Sequence, residues 1–235
     1  MNLQPMKAWL FANAQPILAQ RFSESRVNKI LDGALARYES EAPSLPSEAA
    51  IGGRLMVHCA ALTAAVYREL LDEGQGEADA REVTAKVTAA IYDKMANVTW
   101  LVARISARSP VTRLKRATNA FRRFPFSEPA YQTEDVVADE QTVAFDVKRC
   151  PVAEYFCEQG LKELCVESFC NLDFALAEKW GAHLERTTTL AAGDDRCDFR
   201  WHVMPTGKDE GPVTAERNAN TSQWMVSSRA DRRNS

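Results

Sequence analysis

The chain has 235 residues, 46% of them apolar and 26% charged, with a formal net charge of −3. That is chain enough for one large domain or two small ones. The charge gives no sign of a dedicated nucleic-acid binder, and no apolar run approaches the ~20 residues that cross a bilayer. The apolar stretch in "KAWLFANAQ" is shorter than the roughly 7–15 residues of a secretory h-region. The chain therefore reads as cytoplasmic, a compartment in which six cysteines need not form disulfides.

The first half carries helical spacing. Residues 14–38 place Ile17, Leu18, Phe22, Val27, Ile30, Leu31, Leu35 and Tyr38 at helix-like spacings, with Ser23 or Ser25 as a cap within the stretch. After "APSLPSEAA", Ser47 is an N-cap for a long helix running to about Leu71. "DEGQGEAD" is a turn, and a helix follows over 78–106 with Val83, Val87, Ile91, Met95, Val98, Val102 and Ile105 on one stripe. Another begins at Ser109, with Pro110 at its first position.

The second half changes period. Residues 131–148 read as two strands joined by a polar turn near 138–141, and helices fit 151–180 with breaks near Gly160 and Cys170. Residues 183–203 read as a second hairpin turning at Gly193-Asp194-Asp195. Leu184, Arg186, Thr188 and Leu190 share one parity, and Cys197, Phe199 and Trp201 share another. The expected fold is α+β, with a helical region (1–128) packed on an antiparallel sheet of about four strands that has helices on one face (129–204). Residues 205–235 read as a polar tail.

"RCPVAEYFCEQGLKELCVESFC" holds four cysteines at intervals of 7, 8 and 5 residues, with 27 more to Cys197. Structural zinc wants two close pairs, and only Cys165 and Cys170 are so spaced. Cys150 and Cys157, on one helical face, would lie about 10 Å apart. No metal and no cofactor are expected. Cys157 and Cys165, among Tyr155, Phe156, Leu161 and Leu164, read as core packing.

Cys150 and Cys170 differ. Cys150 precedes Pro151 and takes an N-cap position, where unpaired N–H groups, the helix dipole and Arg149 would favour thiolate. Glu154 lies in the first turn of that helix. Cys170 sits at another helix break, with Asp173 three residues on, a thiol and a carboxylate suited to nucleophilic attack with acid–base assistance. His58 lies on the helical stripe of Leu55 and Leu62, either as a hydrogen-bonded core residue or pointing toward the sheet. His183 and His202 would face each other across the second hairpin. The basic segment 104–124, with seven Arg or Lys and no acid, reads as a solvated face over the stripe Val111, Leu114, Ala117 and Phe121. Nucleic-acid or anionic-membrane binding is the exception it would support. An edge strand and a long amphipathic helix leave homodimerisation open.

The ordered motifs "CP-x-A-E", "G-L-x-E-L", "F-C-x-x-D" and "R-T-x-T-L-A-x-G-D-D-x-C-D-F-R", over residues 141–203, resemble the L-2-amino-thiazoline-4-carboxylic acid hydrolase family. The resemblance implies a bacterial hydrolase acting on a small cyclic amidine or isothiourea carboxylate, opening a thiazoline to an N-carbamoyl amino acid. The family-like positions are Cys150, Glu154, Cys170, Asp173, Arg186, Thr187, Thr189, Gly193, Asp194, Cys197 and Asp198. In the mechanism this suggests, Cys170 or Cys150 attacks the ring C2, or water attacks directly, with Asp173 or Glu154 as acid and base. Arg186 would hold the substrate carboxylate, and Thr188, His58, Cys197 and Asp198 complete the substrate-binding set. The ending "GDDRCDFRW" is also similar to ligand-binding domains named after vinyl reductase, which implies a non-enzymatic small-molecule or metal sensor.

Overall fold

The spacing of apolar residues does produce helices, and the stretch 14–38 breaks at the serine cap within it. In the computed structural model, which describes residues 4–204, 214–217 and 224–227, the stretch 14–38 is shared by α1 (Gln4–Leu18) and α2 (Glu24–Glu41). Ser23 stands before α2 with extended backbone, and its carbonyl accepts the Val27 N–H at 2.9 Å. The buried stripe of α2, Val27, Ile30, Leu31, Leu35 and Tyr38, packs on α3 (Ile51–Asp72).

α3 begins later than a cap at Ser47 would place it. Glu48, 8% exposed, is drawn out of the helix to pair with Arg149 at 2.8 Å, and Arg54 bonds the carbonyls of Glu48 and Ala49. The first turn then runs close to the segment 125–130. A Cβ at Gly52 would strike the Pro125 carbonyl, and one at Gly53 the side chain of Ala130. Only glycine permits that approach.

α4 (Glu77–Ser106) and α5 (Pro110–Arg123) follow, with Ser109 and Pro110 in the expected cap and first positions. The long stripe of α4 is covered only in part. Val83 and Val87 are buried, whereas Val102 is 62% and Ile105 80% exposed, and Ala96 and Ala103 face the core instead. On α5, Leu114, Ala117 and Phe121 are buried under the basic face, as the pattern implies.

The sheet is β1 (Gln132–Asp135), β2 (Thr142–Arg149), β4 (Cys197–Val203) and β3 (Ala182–Glu185), in that spatial order and antiparallel throughout. Alternation sends Phe145, Val147, Phe199 and Trp201 to the helical side, where Phe145 stands opposite Phe199. His183 and His202 do face each other across β3 and β4, rings 6.4 Å apart. The second hairpin is not continuous. β3 ends at Glu185, and residues 186–196 leave the sheet, so Arg186, Thr188 and Leu190 are not strand residues. Asp198 explains the departure, because its carboxylate takes the backbone N–H and hydroxyl of both Thr187 and Thr188. Side-chain bonds have replaced ladder bonds there.

α6 (Pro151–Glu158), α7 (Lys162–Cys165), a π-helical turn (Val166–Cys170) and α8 (Leu172–Lys179) join β2 to β3. One apolar core gathers α1, α2, α3, α6 and α7, and a second gathers α5, α8, the inner sheet face and the later part of α4. The two meet around Tyr131, Phe126 and Phe121. Of the tail 205–235, Thr214–Arg217 and Trp224–Ser227 pair as an antiparallel ladder. The remainder lies outside the described residues.

Candidate active site

Where the two cores adjoin, they leave a cavity of about 130 Å³, against the roughly 10–15 Å³ that one water needs. Its wall takes residues from both cores, Met56, Val152 and Cys165 from one and Phe145, Leu176 and Trp201 from the other. Cys150, Cys170, Cys197, Asp173 and Arg186 line it too. Five of the nine residues singled out in the sequence are thus brought to one space.

The π-helical turn sets one end of the cavity. Its widened spacing, with Asn171 N–H donating to Val166 O at 2.9 Å, stacks residues five apart. Cys165 and Cys170 meet there and share a hydrogen bond. Thr189 Oγ1 approaches Cys170 Sγ at 3.6 Å and Cys197 Sγ at 3.4 Å, and Leu190 N–H donates to Cys197 Sγ at 3.3 Å. Arg186, with a side chain 5% exposed, is buried rather than displayed on a strand. Its Nη1 donates to Cys170 O at 2.9 Å and to Asp173 Oδ2 at 3.1 Å. The guanidinium lies over the Phe174 and Phe199 rings, at 4.9 and 5.5 Å. Tyr92 OH donates to Asp173 Oδ1 at 3.3 Å.

This cluster joins two acids to one buried cation, so the loss of either proton opposes the loss of the other. The Cys170 thiol is lowered, chiefly by the Cys165 hydrogen bond, with help from Arg186 and Thr189 against the cost of burial. Asp173 is raised to about 7, chiefly by burial, with the Cys170 charge adding to it and Arg186 opposing. Near neutrality the arrangement favours a thiolate beside a carboxyl that still holds its proton. The other thiols go the opposite way. Cys165 is raised by its bond to Cys170 and by burial, and Cys197 is pushed to about 11 by burial.

Cys150 does occupy the N-cap of α6, with Pro151 at the first position. Its thiol is nevertheless raised, because burial outweighs the backbone N–H groups of Ala153 and Val152. Arg149 does not assist it; that guanidinium goes to Glu48 and Glu154. Glu154, its side chain 47% exposed, is held by Arg149 and is not among the cavity-lining residues. His58 is also elsewhere, its Nδ1 2.7 Å from Tyr38 OH in the helical core, where burial lowers its pKa.

Thr188 and Asp198 act on the loop rather than on the cavity. Burial would raise the Asp198 carboxyl, but the hydrogen bonds from Thr187 and Thr188 outweigh it and hold it below its ordinary value. Thr188 lines a second, polar depression with Glu163, Asn171 and Thr189. Arg186 belongs to both walls, standing between the polar groove and the apolar cavity.

Sequence reasoning does not single out Tyr92 and Tyr131. Tyr131 is 3% exposed, and among the described residues its hydroxyl has no hydrogen-bond partner, as is also true of Trp201 Nε1. Both residues line the cavity. Burial keeps the Tyr131 hydroxyl protonated, with the nearby Cys150 adding to the effect. Nothing in the spacing of Tyr131 distinguishes it from a core aromatic. Among the described residues, no group of three His, Cys, Asp or Glu could hold a metal ion, and no helix is long and apolar enough to cross a membrane.

A buried thiol, carboxyl and guanidinium at one end of a largely apolar cavity in an α+β fold make a constellation suited to nucleophilic or acid–base chemistry. A family model described as L-2-amino-thiazoline-4-carboxylic acid hydrolase matches residues 54–201. The match takes in the cavity wall from Met56 to Trp201, and the chain belongs to that family. It begins well upstream of the motifs at 141–203, so α3, α4 and α5 are part of the family unit as well. No curated protein and no solved structure matches the chain.

Proposed function

We propose that this protein hydrolyses a 2-aminothiazoline-4-carboxylate-like cyclic amidine at C2, with Cys170 as nucleophile and Asp173 as acid and base. The observation that carries the reading is the meeting of Cys170, Asp173 and Arg186 at one end of one cavity. C2 is bonded to sulfur and two nitrogens and becomes more electrophilic when the amidine is protonated. The Cys170 thiolate adds to it, and the ring C2–S bond breaks as Asp173 delivers its proton to the departing sulfur. The resulting S-linked isothiouronium is attacked by water, which the Asp173 carboxylate deprotonates. The C2–Sγ bond then breaks, returning the thiolate and releasing an N-carbamoyl amino acid that bears a free thiol. One water is consumed and the enzyme is restored. Arg186 holds the substrate carboxylate with N–H groups other than those on Nη1. Tyr131 offers a neutral hydroxyl to the amidine.

Mass analysis of the product from 2-aminothiazoline-4-carboxylate tests the bond. An N-carbamoyl product is expected, whereas loss of ammonia to an oxo-ring would show cleavage of the exocyclic C–N bond instead. Retention of most activity by both Cys170→Ala and Cys170→Ser would sink the covalent route and leave Asp173 activating water directly.

A second reading is favoured by one feature, the aromatic and aliphatic character of most of the cavity wall. It makes the protein a small-molecule sensor of the vinyl-reductase-like kind, which binds a ligand without turnover. Tight binding of an apolar ligand with no product from any cyclic amidine would favour it.

A further inference from the structure

The reactive groups occupy only one end of the cavity. Away from Cys170, Asp173 and Arg186 the wall passes to Phe199 and Phe145, and then to Thr118 and Phe121 of α5. Phe199 and Phe145, paired across β4 and β2, stack with centroids 5.1 Å apart and planes 16° apart, so that their edges make an aromatic floor on the inner sheet face. A guanidinium lies over each end of this floor, Arg186 over Phe199 at 5.5 Å and Arg122 over Phe145 at 4.9 Å. Trp201 continues the sheet face beside Phe199, at 6.2 Å, and Leu176 and Trp180 cover it from α8, with Trp180 stacked on Trp201 at 5.8 Å and meeting Phe121 edge-on at 5.1 Å. Arg122 is itself tied to Asp135 and Thr133, at 2.6 and 3.0 Å.

A bare aminothiazoline carboxylate is a compact zwitterion whose amidine and carboxylate make up most of its surface. Those groups are matched by Asp173 and Arg186. The aromatic floor and the tryptophan wall have nothing to recognise in such a molecule, and the space between them would hold water against apolar surface, a costly arrangement.

We infer that the substrate carries an apolar, ring-bearing arm, which lies along the Phe199–Phe145 floor toward Arg122 while its amidine faces Cys170. This deepens the hydrolase reading and rests on it for the chemistry at C2. The arm meets the edges of the two rings, the edge-to-face arrangement aromatic groups also favour, and displaces water from the wall. Specificity resides in the floor rather than in the reactive end.

The test compares 2-aminothiazoline-4-carboxylate with its 5-phenyl derivative, using the full chain, with kcat/KM for turnover and calorimetry for binding. The phenyl compound is expected to be preferred by about tenfold or more, the scale of one apolar group entering a fitted pocket. Phe145→Leu, checked for folding by its melting temperature, should cut that preference by about fivefold or more. If the unsubstituted compound is turned over as well as the phenyl compound or better, the arm is refuted and the hydrolase reading stands. If neither is turned over but the phenyl compound binds at least tenfold tighter, the arm stands and the hydrolase reading falls. Failure of both to bind overturns both.

Discussion

The two ends of the 149–170 segment border the same cavity and handle a thiol in opposite ways. Cys150 has what a helix N-terminus offers, an extended N-cap and backbone N–H groups in front of it, and yet its thiol is raised. Cys170 lies at the far end of the π-helical turn, where the dipole disfavours an anion, and yet its thiol is lowered. The difference lies in discrete partners. Cys170 has the Cys165 thiol, the Thr189 hydroxyl and the buried Arg186 charge, whereas Cys150 has only amides to set against the cost of burial. Inside a low-dielectric cavity, a counter-charge and directed donors outweigh a terminal dipole.

The widest separation of the two thiols should appear in activity. Cys170→Ala and Cys170→Ser are each expected to lower kcat by about 10³-fold or more, the loss typical of removing a nucleophile that acts as part of a unit. Equal losses at Cys150 and Cys170 would erase the distinction.

Asp173 comes next. Asp173→Asn is expected to lower kcat by about 10²–10⁴-fold, the contribution of a placed acid–base group. The wild-type rate should rise with pH as Cys170 ionises and fall above about 7 as Asp173 loses its proton. The same group affects stability. Its pKa is raised from 3.8 unfolded to about 7 folded, so between those values the unfolded chain binds fewer protons than the folded one. The contribution of Asp173 to stability is therefore greatest below pH 3.8, declines as pH rises toward 7, and is flat above. Asp173→Asn removes this decline, so its melting temperature relative to wild type should climb between about pH 5 and pH 7. A constant offset across that range would mean the carboxyl is not raised.

Arg186 carries the third effect. Arg186→Met takes the cation from between the two acids, and iodoacetamide should then alkylate Cys170 about tenfold more slowly near pH 7, as for one unit of pKa rise. An unchanged rate would assign the lowering to Cys165 and Thr189 alone.

Much of this architecture is legible in the amino-acid order. Pro110 after Ser109 and Pro151 after Cys150 mark two helix starts through the fixed φ of proline, and period-2 alternation marks the inner sheet face. Cys170 and Asp173 are legible because a helix break beside a thiol and a carboxylate is a local event. What stays hidden is tertiary. Glu48 leaves its helix for an arginine 101 residues away, and Asp198 unpicks the strand that would have held Thr188. Arg186 and Thr188 share a parity, but only the fold sends one into the core and the other to a polar groove. Cys165 reads as core packing, and it is buried; its bond to Cys170 depends on a π-helical turn that no spacing rule announces. Tyr92 and Tyr131 look like any other core aromatics in sequence.

The smallest effect expected is at Cys150, and it carries the comparison's sharpest test. Cys150 lines the same cavity as Cys170, so access alone would make the two react alike. If ionisation governs instead, limited iodoacetamide near neutral pH should label Cys170 well ahead of Cys150, as read by peptide mass analysis. Cys150→Ser, which keeps the size and a hydroxyl for the α6 N-cap, should then change kcat by less than about threefold. A large loss in Cys150→Ser with unchanged labelling of Cys170 would move Cys150 from the wall into the chemistry. Dipole and proximity would then have mattered more than the buried guanidinium allows.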